Sequence, residues 1–143
     1  MHARQAAREA IAALLVPISA LEGRVYTSRV FPMKTLPAAS VTWTDEERDA
    51  DAAPDDIHVR NTTYEIHVLA KANAALDDVL DELALDIELA LAAAPDLDGA
   101  IHALEYLGSA ATLSDELEKP AGRLTLRYRA TYVVAETDPE TIL

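Results

Sequence analysis

The apolar positions of this chain change period along its length, and those changes mark out its elements. Between Ala3 and Val16, Ala7, Ile11, Leu14 and Leu15 recur at helical spacing, and Ile18 continues the stripe. Arg4 and Arg8 lie beside it, with Glu9 on the far side. Pro17 lacks an amide hydrogen, so the helix ends or kinks there. Gly23 punctuates the turn into a strand over Val25–Val30, and Pro32 and Pro37 bracket a short connection. From Ala39 to Thr44 the period is two. Ala39, Val41 and Trp43 share a buried face, while Ser40, Thr42 and Thr44 take the other.

The stretch Asp45–Asp56 has seven acids, one arginine and a proline, the composition of a solvated hairpin loop. A long strand follows over Ile57–Ala72, with Tyr64, Ile66 and Val68 inward and Glu65 and His67 outward. Ile57 and Val59 are out of phase with that alternation, which predicts a bulge near Asn61–Thr63. The clearest helix covers Ala74–Ala94. Asn73 is its expected N-cap, Asp77 and Asp78 favour its dipole, and Leu76, Val79, Leu80, Leu83, Ile87 and Leu91 form its core stripe. Pro95 and Gly99 stop it. A fourth strand is expected over Ile101–Leu113, with a bulge at Gly108. After a turn at Lys119–Gly122 comes the most regular strand, Arg123–Val134.

These periods predict an α+β fold: a two-layer domain with a mostly antiparallel sheet of about five strands, covered by two helices in the order α-β-β-β-α-β-β. Residues 1–135 form a single domain, and residues 136–143 read as a C-terminal tail.

Composition adds exclusions. At 143 residues, half of them apolar, the chain can bury a substantial core. A formal charge of −13 opposes a general nucleic-acid surface, because phosphate binding needs a basic field. The absence of cysteine removes disulfides, thiolate zinc sites and a cysteine nucleophile. No apolar run approaches the roughly 18 residues of a transmembrane helix, and the opening stretch lacks a signal-peptide pattern. The expectation is a soluble intracellular protein without membrane contact.

Chemistry-bearing motifs are sparse. The four histidines, His2, His58, His67 and His102, have no helical i, i+4 pair, and His58 and His67 stand nine residues apart on one strand. No serine sits in a nucleophile elbow, and the four glycines form neither a P-loop nor a dinucleotide fingerprint. Paired acids such as Asp45–Glu47, Asp77–Asp78 and Asp81–Glu82 lie on polar segments, where nothing tunes a pKa. No catalytic, metal or cofactor-binding residue is therefore assigned, and the protein reads as a non-enzyme.

Two surfaces stand out instead. The second helix has no Lys or Arg between Ala72 and Leu91, and its polar face carries Asp77, Asp78, Asp81, Glu82, Asp86 and Glu88. Leu85 and Leu89 fall in the middle of that face, one turn apart. They are either ordinary exposed leucines or the centre of an interface with a charged rim. On the last strand, Arg123, Arg127 and Arg129 project away from the core. They are either neutralised by neighbouring strands, for example by Glu65, or a basic stripe that meets the acidic helix of another subunit. A contact between two unlike surfaces closes into rings or runs into filaments.

The segments ARQAAREAIAALL, GRVYTSRVFP, LPAASVTWTDEE, LDDVLDELALDIELALAA and GRLTLRYRATYVV occur in an order that resembles the tail-terminator and tail-completion proteins of long-tailed bacteriophages. The resemblance spans about residues 3–135 and rests on pattern and order. It implies a structural virion protein, without catalysis or cofactor. Such a protein sits as a hexameric ring on the last ring of the tail tube, stops tube polymerisation and presents a surface to the head–tail connector. Its partners would be further copies of itself, the major tail tube protein and the connector, with DNA passing the lumen without specific binding. Its location would be the host cytoplasm during assembly and then the virion tail.

Within that picture Leu85, Leu89, Asp81, Glu88, Arg123, Arg127 and Arg129 are candidate subunit contacts. Asp45, Glu46, Glu47, Arg48, Asp49, Asp51, Asp55 and Asp56 form a candidate loop for tube contact or channel lining. The alternatives are a neck or minor tail-completion protein of the same virion, a small α+β ligand-binding or enzyme domain, and an acidic mimic of DNA.

Overall fold

The computed structural model describes residues 1–29, 35–114 and 121–143. Helix α1 spans Ala3–Leu15, with Val16 as its C-cap just ahead of Pro17. The strands are β1 (Val25–Tyr26), β2 (Ala38–Asp49), β3 (Ile57–Lys71), β4 (Ala103–Ser114) and β5 (Ala121–Ala135), and helix α2 covers Leu76–Ala92. The five strands form one sheet in the order β1-β2-β3-β5-β4. β1 runs parallel to β2, and every other pair is antiparallel. The fold is α+β with the expected element order. Of the expected connections, Val30, Pro32 and Lys119 lie outside the described residues.

Both helices pack on one face of the sheet, α1 against β2 and α2 against β3 and β5. The core between the layers joins Ala7, Ile11 and Leu15 of α1 to Leu80, Leu83, Ile87 and Leu91 of α2. Beneath them lie Val41, Tyr64, Ile66, Val68, Leu124, Leu126 and Tyr132 of the sheet. Each large apolar side chain buried this way contributes about 1.5–3 kcal/mol. Gly122 lets the layers meet closely: a Cβ there would lie 2.6 Å from Leu76 Cδ1. Residues 136–143 fold back onto the domain. Ala3 N donates to Pro139 O at 3.0 Å, the N-terminal amine pairs with Glu140 at 2.8 Å, and Ile142 packs on the core.

Several expectations need correction. β2 does not stop at Thr44 but runs to Asp49, so Asp45–Asp49 is strand and the loop is confined to residues 50–56. The bulge is not near Asn61–Thr63. β3 pairs with β5 in unbroken register from Ile57↔Ala135 to Lys71↔Ala121. The register shift lies in β2, between Trp43 and Asp45, so Thr44 is the extra residue. Ile57 and Val59 fall out of phase for another reason: they sit on the outer face, where Val59 pairs with Val133. The first strand is much shorter than expected.

Asn73 is not the N-cap of α2. Its side chain accepts from Ala75 N at 3.0 Å in a turn that precedes the helix, and the cap position is Ala75. The fourth strand starts at Ala103, and the register shift at Gly108 is where the glycine predicted it. Gly108 has a φ of +153°, which a side chain would disfavour.

Candidate functional site

The three candidate regions occupy different parts of the domain. α2 buries Leu80, Leu83, Ile87 and Leu91 and turns its opposite side to solvent. Leu85 is 55% and Leu89 61% exposed on that side. Asp77, Asp78, Asp81, Glu82 and Asp86 are exposed around them, and Glu88 is half-buried at the margin over Tyr128. Burial, and then the Glu88 charge, push the Tyr128 hydroxyl up to about 12. Among the described residues, no ion pair reaches a carboxylate of α2. The face is a leucine pair inside a field of acids that have no ion-pair partner among the described residues.

The arginines lie across the sheet, on the face opposite the helices. Strand register sets Arg127 beside Glu65 and Arg129 beside Glu105. The charges are 3.9 Å apart in the first pair and 3.4 Å in the second, and both arginines stay exposed. Exposed pairs of this kind are worth at most about 1 kcal/mol, so they leave the guanidinium groups open to a competing carboxylate. Arg123 is half-buried, and its Nε has no hydrogen-bond partner among the described residues. His67 bonds Thr125 Oγ1 at 3.0 Å on the same face. Burial and the neighbouring Arg123 charge hold its imidazole below the ordinary value.

The acidic segment is not uniform. Asp45, Glu47, Asp49, Asp51, Asp55 and Asp56 are exposed. Arg48 folds back to donate to Asp55 O at 3.2 Å, which ties the hairpin tip together. Glu46 behaves differently. The extra residue at Thr44 shifts the alternation by one, so Glu46 turns inward opposite Thr62. Its side chain is 13% exposed. It accepts from Arg4 Nη1 at 2.9 Å, from Thr62 Oγ1 at 2.7 Å and from the Tyr132 hydroxyl, with Arg60 Nη1 at 3.5 Å.

Burial alone would push the Glu46 carboxyl up. The Thr62 and Tyr132 hydrogen bonds and the two arginine charges outweigh it and hold the group below its ordinary value. The Arg4 guanidinium also lies 4.0 Å from the centroid of the Trp43 ring, and Tyr64 donates to Arg4 O at 2.8 Å. The cluster thereby joins α1, β2, β3 and β5 at the base of the hairpin arm.

This cluster is what sequence reasoning missed. The Glu46 carboxylate accepts three hydrogen bonds and lies beside a second guanidinium, which together hold it charged and in place. Its geometry fits a brace at the point where the exposed part of the arm leaves the domain. Among the described residues, no group of three or more His, Asp or Glu side chains is placed to hold a metal ion, and no helix is long and apolar enough to cross a membrane.

No protein-family model matches the chain, and no curated protein matches it. It is similar to a chain in a solved structure described as the virion of a native gene transfer agent particle. The two are 20% identical over 87% of this chain and 92% of that one, with a TM-score of 0.48.

Proposed function

We propose that this protein is a structural, non-catalytic component of a phage-type virion, a tail terminator that assembles head to tail into a ring, with six subunits as the expected number. The observation that carries the proposal is the opposition of two unlike surfaces across a thin domain. The acidic leucine-centred face of α2 lies on the helix side, and Arg123, Arg127 and Arg129 lie on the far side of the sheet. Stacking one subunit's α2 on the next subunit's arginine face buries Leu85 and Leu89 and gives their acidic rim opposite charges. A contact between two different patches repeats around a ring until it closes. The chain's resemblance to tail terminators supplies the setting.

In this reading, the arm from Asp45 to Asp56 reaches the tail tube or the channel. There its exposed acids repel passing DNA and prevent sticking. The Glu46 cluster fixes the arm's angle. The ring caps the tube and offers its other side to the head–tail connector.

Native mass spectrometry across protein concentration, at low and high salt, tests the proposal together with negative-stain imaging. The expected result is a closed ring that weakens as salt rises, and that is lost on Arg127→Glu with Arg129→Glu. A chain that stays monomeric under every condition and does not bind the open end of purified tail tubes overturns it.

A further inference from the structure

The two long edges of the sheet are finished differently. On the β2 side, β1 pairs with Ala39 and Ser40, the Arg29 guanidinium donates to the Trp43 carbonyl, and the exposed acids Asp45, Glu47 and Asp49 follow. Cover and charge of this kind are how proteins keep an edge from pairing with another chain. β4 has neither. It is the outermost strand, and its 12 residues carry one charge, Glu105, and no proline. Tyr106 is 47% and Leu113 70% exposed. Its outward backbone donors and acceptors form two stretches, Ala103–Tyr106 and Gly108–Ser114, on either side of the register shift at Gly108.

One flank of α2 is turned toward this edge. Leu76, near the start of the helix, packs over Gly122, which pairs with Leu113. Near its end, Glu88 and Leu91 meet Leu104, Tyr106 and Tyr128 around a groove of about 400 Å³. α2 packs on β3 and β5, and it comes beside β4 at two levels, near Leu113 and near Tyr106. Helical spacing sets Asp77 and Asp81 on the same flank as Glu88. Three carboxylates without an ion-pair partner among the described residues thus lie on the flank turned toward an open strand edge that has an apolar groove at one end.

We infer that the β4 edge receives an extended basic segment of a partner protein, added as a further strand. Its main chain pairs with β4. On its inward side one apolar side chain enters the groove against Tyr106 and Leu104. Long Lys or Arg side chains at alternate inward positions lay their stems on the sheet and reach Glu88 and Asp81. The β2 edge cannot serve in the same way, because its cover and its acids leave no comparable row. The inference goes beyond the ring reading and uses neither the arginine stripe nor Leu85 and Leu89; Asp81 and Glu88 are common to both, so the ring is tested through Arg127 and Arg129 and this inference through the β4 amides.

The test uses the full chain, isotope-labelled, and a capped nine-residue probe, Lys-Thr-Val-Thr-Lys-Thr-Val-Thr-Lys, followed by NMR titration and amide exchange. A second probe carries Glu in place of Lys. The basic probe is expected to shift the Ala103–Leu113 amides and to slow exchange of the outward-facing ones at least 10-fold. It should bind at least 10-fold more tightly than the acidic probe, and Glu88→Lys should cut that preference at least threefold without lowering the melting temperature. Three results overturn the inference: shifts confined to the Asp45–Asp56 arm, equal binding of both probes, or protection of β4 that grows with protein concentration alone. The last would identify a second copy of this chain as the occupant.

Discussion

Glu46 and the carboxylates of α2 are the same chemistry in opposite circumstances. Glu46 is turned into the domain, where two arginines and two hydroxyls surround it. Asp81 and its neighbours on α2 face solvent, with no cation of this chain in reach among the described residues. A count of acids treats them alike. The difference teaches that the negative charge of this protein has two parts, one tied into the fold and one that faces solvent without a cation partner among the described residues.

The sharpest way to break the comparison is to remove a carboxylate from each part. Glu46→Ala leaves Arg4 and Arg60 facing each other across an empty site, with Thr62 and Tyr132 short of an acceptor. Losing one partner of a buried charge pair costs about 3–5 kcal/mol, and the partial exposure of both arginines brings the expectation to about 2–3 kcal/mol. A thermal melt should fall by about 10 °C. Asp81→Ala should move the same melt by less than about 2 °C, because that carboxylate is exposed and pairs with no described residue. Equal effects would erase the distinction.

A smaller step isolates one contact of the cluster. Tyr132→Phe keeps the buried ring and removes only the hydroxyl that Glu46 accepts. The expected cost is about 1–1.5 kcal/mol. In the Glu46→Ala background the same change should cost much less, since its acceptor is gone, and a double-mutant cycle reads that coupling directly.

Acidity separates the two parts a third way. The Glu46 carboxyl is held below its ordinary 4.5 in the fold, so the unfolded chain takes up that proton first as the pH drops. Its stabilisation is complete above 4.5 and is lost as the pH falls through the folded value. His67 and His2 are likewise held below the ordinary 6.5, chiefly by burial and then by Arg123 and Arg4 respectively. Their share is complete above 6.5 and begins to fall beneath it. Melts from pH 7.5 to 3.5 should show two successive declines. His67→Gln should flatten the first and Glu46→Gln the second.

These residues also show where sequence reading succeeds. Leu80, Leu83, Ile87 and Leu91 announce α2 because an amphipathic helix repeats its pattern for several turns. β5 is equally plain, since its strict alternation matches the pleat. The exposure of Leu85 and Leu89 followed from the same arithmetic. Glu46 did not, and the cause is one residue: Thr44 bulges out of the ladder, and everything after it changes face. From that point the inward side of β2 and β3 is polar, with Glu46, Arg60 and Thr62, while Val59 and Val133 lie outside. A rule that puts apolar residues inward reads the stretch as a loop followed by a bulge in the wrong strand. The brace was invisible because its members are distributed over four elements, and only pairing brings them together.

The weakest expected effect on the monomer is the one most informative about assembly. Leu85→Ser with Leu89→Ser alters two side chains that touch little of their own chain. Serine is a poorer helix former than leucine by a few tenths of a kcal/mol per site, so the isolated domain should lose about 0.5–1 kcal/mol and keep its circular dichroism. An interface centred on two leucines would respond very differently, since burying each contributes about 1.5–3 kcal/mol and the surrounding acids supply orientation more than affinity. Ring formation should therefore fall by at least 100-fold in concentration while the monomer melts almost as before. Should the melt instead drop by 10 °C, the leucines belong to the core. If assembly proceeds unchanged, the solvent-facing charge and apolar surface of α2 serve a partner other than the next subunit.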